Sequence, residues 1–137
     1  TRRREVVAAY QDAFGAHPGF ELPVERPDVT SAWHLYVLRI RPERLSIERN
    51  ALIEALKERN IGTSVHYRPL HMMSYYKDKY GYRPSDFPVA KDAFERMVSL
   101  PLHPRLTDRD VEDVIEAVFD AAGASRAGPP RTAATTR

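Results

Sequence analysis

Thr107-Asp108-Arg109-Asp110 sets a hydroxyl N-cap three residues ahead of an acid, and Val111, Val114, Ile115, Val118, Phe119 and Ala122 follow at helical spacing before Gly123. A helix with a single apolar stripe has to bury it, so the rest of the chain must supply an opposing layer. Upstream, Ser46 to Arg59 predicts a second helix, with Ile47, Ala51, Leu52, Ala55 and Leu56 on one face and Asn60 and Gly62 ending it. Arg3 to Phe14 predicts a third, which groups Val6, Val7, Tyr10, Ala13 and Phe14 and starts at the first residues as if cut mid-element. Residues 72–80 and 89–96 are two further helices, parted by Gly81-Tyr82-Arg83-Pro84. Strand signals are shorter: WHLYVLRI (33–40), TSVHY (63–67) and MVSL (97–100), the last stopped by Pro101. Pro18, Pro23 and Pro27 keep the segment after the first helix extended, as an edge strand or a linker. The fold class is therefore α/β of the α+β kind, a small sheet with helices packed on it.

At 137 residues, 42% hydrophobic and 29% charged, the chain supports one core rather than two. No stretch reaches the roughly 18 consecutive apolar residues of a membrane-spanning helix, and no secretory signal is visible, so a membrane role is not expected. Cysteine is absent, which removes disulfides, thiolate metal sites and cysteine nucleophiles and agrees with a cytoplasmic setting. The net charge is +2, but six of the 21 bases are Arg2, Arg3, Arg4, Arg126, Arg131 and Arg137, outside the stretch holding all 19 acids. That stretch carries 15 bases and is net negative, so a nucleic-acid surface is not expected. From Ala124 onward no bulky apolar side chain is left to offset the entropy of ordering, and the end of the chain reads as a disordered tail.

The densest polar and aromatic run is His66-Tyr67-Arg68-Pro69-Leu70-His71, at the end of a predicted strand and ahead of a helix. Two imidazoles, a phenol and a guanidinium at such a place can hydrogen-bond a phosphate or sugar hydroxyls. The plainer alternative is that His66 and Tyr67 alternate between core and surface while Arg68 is only solvated. As zinc ligands His66 and His71 lack a third partner at a usable spacing, so no metal site is expected. Trp33 reads as a core anchor beside His34. Met72, Met73, Tyr75, Tyr76 and Tyr80 read as core or interface more readily than as a groove, and Arg39, Arg41 and Arg44 as solvated surface. The chain has no glycine-rich phosphate loop and no serine in a nucleophile elbow.

Several strings in one order carry more information than the periodicity: AWHLYVLR (32–39), NIGTSVHYRPLH (60–71), YYKDKYGY (75–82), FPVAKDAFERMVSLPLHP (87–104) and LTDRDVEDVIEAV (106–118). Together they resemble the C-terminal portion of the DegT/DnrJ/EryC1/StrS family of sugar-nucleotide aminotransferases, over roughly residues 3–122. The resemblance implies the small domain of an aspartate-aminotransferase-fold enzyme that uses pyridoxal phosphate, with a small mixed or antiparallel sheet. Residues 1–14 would be the truncated end of the interdomain helix, 15–123 the small domain and 124–137 a disordered basic tail. The partners implied are a large N-terminal domain, a second subunit of a homodimer, a nucleotide-linked keto-sugar and an amino donor, usually glutamate. By motif, His66, Tyr67 and His71 are candidates for contact with the sugar or diphosphate, Arg68 is a further one, and Trp33 and His34 are expected to face the same cleft. His103 departs from the aromatic residue the resemblance leads one to expect there.

The resemblance also implies what this chain does without. The family's reaction needs a lysine for covalent attachment of the cofactor and an acid paired with its pyridine nitrogen. The four lysines, Lys57, Lys77, Lys79 and Lys91, all lie in charged helical contexts outside the Schiff-base motif. No catalytic residue and no bound cofactor are therefore expected in this chain, and exposed faces of Val6, Tyr10 and Phe14 are expected where the large domain would sit. The competing reading is a free-standing, non-catalytic binding or scaffolding module that keeps the small-domain fold.

Overall fold

The computed structural model describes residues 2–125. Five helices surround a three-stranded antiparallel sheet: α1 (Arg2–Phe14), β1 (Phe20–Glu21), β2 (Tyr36–Ile40), α2 (Arg49–Glu58), α3 (Ser74–Tyr80), α4 (Pro88–Arg96), β3 (Met97–Leu100) and α5 (Asp108–Ala121). β2 is central, with Phe20 opposite Ile40 on one side and Tyr36 opposite Leu100 on the other. Its side chains alternate as the pleat requires: Tyr36, Leu38 and Ile40 are fully buried, while Val37 and Arg39 turn to the opposite face.

α1 and α5 close the buried face of the sheet. Thr107 accepts a hydrogen bond from the Asp110 N–H at 3.1 Å and the Asp110 carboxylate accepts one from the Thr107 N–H at 2.7 Å, so α5 starts on the reciprocal cap that its sequence announces. Its apolar stripe meets α1 through aromatic contacts, with Phe119 5.5 Å from Phe14 and 5.6 Å from Phe20 between ring centroids. Val6, Tyr10 and Phe14 are thus covered by the chain's own core, at 1%, 0% and 0% exposure, and the expectation of a bare apolar face on α1 is corrected. On the far face of the sheet Glu21 pairs with Arg39, and the Arg96 guanidinium at the end of α4 donates to Glu21 at 3.0 Å and to Asp92 at 2.6 Å. Arg39 is therefore half of an ordered ion pair rather than a solvated cation. Arg41 also reaches back, donating to the Pro18 carbonyl at 3.3 Å.

Two predicted strands are shorter than their composition suggests. Trp33 has φ 46°, in the left-handed region that is costly for a bulky residue, so the extended ladder begins only at Tyr36. Residues 63–67 form no ladder; Ser64 alone bridges Ser99, each N–H donating to the other's carbonyl, after which the chain leaves the sheet. Helix α2 starts at Arg49 rather than Ser46, because Ser46 is engaged elsewhere, its N–H donating to Ala122 at the end of α5. Residues 70–72 form a 3₁₀ turn, so α3 begins at Ser74, and it stops at Gly81, whose φ of 69° a side chain would resist. The segment after α1 supplies the edge strand β1. Ala124 is still hydrogen-bonded to Phe119, and the basic tail expected beyond it falls outside the described residues from 126 on.

Candidate functional site

The Ser64–Ser99 bridge is the point from which the HYRPLH segment departs. Val37 lies opposite Ser99 on β2, so the bridge places residues 63–65 on the free edge of β3. Two residues on, the His66 ring returns to the sheet, its Nδ1 2.9 Å from the Ser99 hydroxyl. Ser99 is 3% exposed. The His66–Tyr67 peptide is cis, and the Tyr67 ring stands edge-on to the imidazole at 4.9 Å.

Beyond that tether the side chains face outward. Tyr67 is 71% exposed, Leu70 58%, and Arg68 is exposed with no hydrogen bond or ion pair among the described residues. His71 alone turns in: it is 7% exposed, packs on Phe87 at 4.7 Å, and its buried Nε2 has no partner. Phe87 starts a chain of ring contacts that runs through Tyr82 at 5.3 Å, Tyr80 at 5.4 Å and Tyr76 at 6.2 Å. The tyrosines expected in the core or at an interface form a surface ladder, with Tyr75 and Tyr80 more than half exposed, so the core half of that expectation is corrected. Within the excursion from 66 to 87, His66 is tied to β3 through Ser99, while His71 and the ladder pack its early and late residues together on Phe87.

The structure therefore brings His66, Tyr67, Arg68 and His71 onto one excursion. Trp33 and His34 lie elsewhere along the sheet: the register puts them beyond the Tyr36–Leu100 end, while the His66 segment runs towards the Met97 end. Trp33 is buried and packs on Tyr36 at 6.4 Å, as a core anchor would, whereas His34 is exposed. Sequence reasoning missed Ser99, an unremarked serine inside MVSL, and Phe87, whose only signal is an aromatic residue ahead of the helix-starting Pro88.

Tyr67 and Arg68 offer a phenol and five guanidinium N–H donors with nothing among the described residues to satisfy them, and His66 adds an imidazole edge. Such a set recognises oxygens of phosphate or sugar by hydrogen bonding and charge. Proton relay or covalent chemistry needs partners that the segment does not place there. A cavity of about 770 Å³ lies elsewhere, between Arg59, His103 and the Asp110, Asp113, Glu116 and Asp120 side of α5. Four carboxylates make it a poor host for a diphosphate despite its size. No His, Cys, Asp or Glu group suited to a metal is found among the described residues.

The lysines do not fit a cofactor attachment site. Lys57 faces solvent beside Glu54, Lys77 is exposed, Lys79 donates to the Tyr75 hydroxyl at 2.9 Å, and Lys91 pairs with Glu95 at 2.7 Å. None lines a cavity described above or the smaller ones at α1, α2 and the end of α5. No helix of the described residues is long and apolar enough to cross a membrane.

Comparison with known proteins agrees with this architecture. Over 120 residues the chain is 48% identical to the spore coat polysaccharide biosynthesis protein SpsC of Bacillus subtilis, covering 87% of this chain and 31% of SpsC. Among solved structures, the aminotransferase TlmJ from Streptoalloteichus hindustanus superposes with a TM-score of 0.75 at 32% identity, covering 89% of this chain and 31% of TlmJ. DesV of S. venezuelae, solved in complex with a ketimine intermediate, gives 0.79 at 30% identity over 90% of this chain and 32% of its own. The chain thus spans about a third of the length of the relatives it matches. A sequence model of one family matches residues 1–119, which takes in the sheet, all the helices but the end of α5, and the His66–His71 excursion: the chain belongs to the DegT/DnrJ/EryC1/StrS aminotransferase family.

Proposed function

We propose that this chain is the small domain of a pyridoxal-phosphate-dependent aminotransferase that moves an amino group, from glutamate, onto a nucleotide-linked keto-sugar for polysaccharide or antibiotic-sugar synthesis. The observation that supports the proposal is the projection of Tyr67 and Arg68 from a segment tethered to β3 at His66, with their polar groups unspent. In this reading Arg68 and Tyr67 meet the diphosphate or sugar oxygens, and His66 and His71 frame them. On the same reading His34 contributes from the opposite end of the sheet, where Trp33 anchors the strand. The cofactor, when bound, acts as the electron sink for amino transfer, and the residues described here bind and orient the sugar nucleotide. The catalytic lysine and the cofactor cradle belong to a large domain outside this chain, the working form is a homodimer in the cytoplasm, and the 137 residues alone are inactive.

The test compares this chain with a longer gene product that carries a large domain. The longer protein should bind pyridoxal phosphate and release 2-oxoglutarate from glutamate when given a nucleotide-linked keto-sugar, and this chain should do neither. A cofactor absorbance band that persists on this chain after gel filtration would overturn the proposal.

A further inference from the structure

We infer that Ser99 is a positioning residue that fixes the tautomer of His66, with Nδ1 accepting from the hydroxyl and the ring proton on Nε2. The hydroxyl and Nδ1 are 2.9 Å apart, and either could in principle be the donor. Burial decides between them. Ser99 is 3% exposed, and its hydroxyl has no hydrogen-bond partner other than His66 among the described residues. Were Nδ1 to donate, the hydroxyl proton would be left in the interior with no acceptor, an arrangement that buried polar groups avoid. With the hydroxyl donating, Nδ1 accepts and the ring proton goes to Nε2. The Ser99 backbone is itself held by reciprocal bonds to Ser64, at 2.8 and 3.3 Å, which fixes the Ser99 Cα beside the His66 segment.

Among the described residues Nε2 makes no hydrogen bond and is not one of the fully buried unpartnered atoms, so its N–H is open to an acceptor from outside them. The ring can then donate to an acceptor oxygen, of a phosphate or a sugar, and cannot take a proton through Nε2 while it remains in this state. This rests on the reading of His66 as a substrate contact and makes it more specific: His66 reads an oxygen rather than an amine, and it is not a general base.

Long-range proton–nitrogen correlation spectra of the ¹⁵N-labelled 137-residue chain, at roughly pH 8 and so above the ordinary histidine range, report the tautomer of each ring. His66→Gln identifies the signal by its loss. The expected wild-type result is a single tautomer with bare Nδ1 and protonated Nε2, and Ser99→Ala should lose that selectivity and show both tautomers while keeping its backbone dispersion. A wild-type proton on Nδ1, or a Ser99→Ala spectrum with the same single tautomer, overturns the inference. Inorganic pyrophosphate added to the same sample tests the substrate reading separately. An Nε2 resonance that does not move, on a ring of the expected tautomer, counts against the diphosphate contact and leaves the role of Ser99 established.

Discussion

Tyr10 on α1 and Tyr36 on β2 pack ring to ring at 5.0 Å in the same core, yet only one of the two hydroxyls is satisfied. Tyr10 donates to the Pro101 carbonyl at 2.9 Å, whereas the Tyr36 hydroxyl is buried with no partner among the described residues. Burial pushes both phenols above their ordinary value of 10, and for Tyr36 a charged Tyr10 would add to the effect, so both are neutral in the folded chain at ordinary pH. The same substitution should therefore act in opposite directions at the two sites. Tyr10→Phe leaves a carbonyl unpaired and is expected to cost about 1 kcal/mol, while Tyr36→Phe removes a stranded polar group and is expected to be neutral or to stabilise by up to about 1 kcal/mol. Urea unfolding with unchanged m-values checks both, and an equal loss at the two positions would contradict the assignment.

Glu21 gives the fold an acid-sensitive joint. The Arg96 hydrogen bond holds its carboxyl below the ordinary value of 4.5 against a smaller opposing effect of burial, with Arg39 and Arg41 adding to the depression. A carboxylate whose folded pKa is depressed contributes stability that is present above the unfolded pKa and is lost as pH falls through the folded one. Thermal midpoints should therefore drop as pH is lowered below about 4.5, and Glu21→Gln should flatten part of that slope. Glu25, Asp92 and Asp110 are also lowered and maintain the remainder. An identical slope in the variant would show that the joint adds nothing.

Helix α1 is core, so truncating its largest ring should be severe. Phe14 is fully buried and touches Tyr10, Phe20 and Phe119, and Phe14→Ala is expected to cost about 3–5 kcal/mol. Val89→Ala, at a position 82% exposed, should cost less than about 0.5 kcal/mol. A small effect at Phe14 would mean that α1 docks only against something outside this chain.

What the sequence disclosed follows what local physics can encode. The α5 cap and stripe, the alternation in YVLRI and the helix before MVSL depend on residues a few positions apart, and each lies within a few residues of where its pattern puts it. The errors come from long-range contacts. TSVHY has strand composition, but its only sheet partner is Ser99, 35 positions from Ser64, and no feature of either string reveals that pairing. The sequence leads one to expect an outside partner for α1 because its cover comes from distant positions, Tyr36 against Tyr10 and Phe20 and Phe119 against Phe14. At the candidate site, the residue types of HYRPLH were visible, and so was their family string. The serine that turns His66 was not, because a serine inside a strand looks alike whether or not its hydroxyl has a task.

Arg68 separates binding from folding more cleanly than any other member of the site. It is exposed and makes no contact through its guanidinium among the described residues, so Arg68→Ala should leave the unfolding midpoint of this chain within about 0.5 kcal/mol of wild type. On the proposed reading, the same change in a longer protein that carries a large domain would remove hydrogen bonds between a cation and an anionic oxygen, interactions worth about 1.5–3 kcal/mol. The KM for the nucleotide-linked sugar should rise by roughly 10- to 100-fold, with kcat for the chemical step nearly unchanged, because the lost contact binds ground state and transition state alike. Arg68→Lys should recover only part of the loss, since an ammonium keeps the charge without the two-pronged geometry that matches a phosphate. A variant whose KM equals that of wild type would remove Arg68 from the site, and a fall in kcat without a change in KM would assign it a role in the reaction itself.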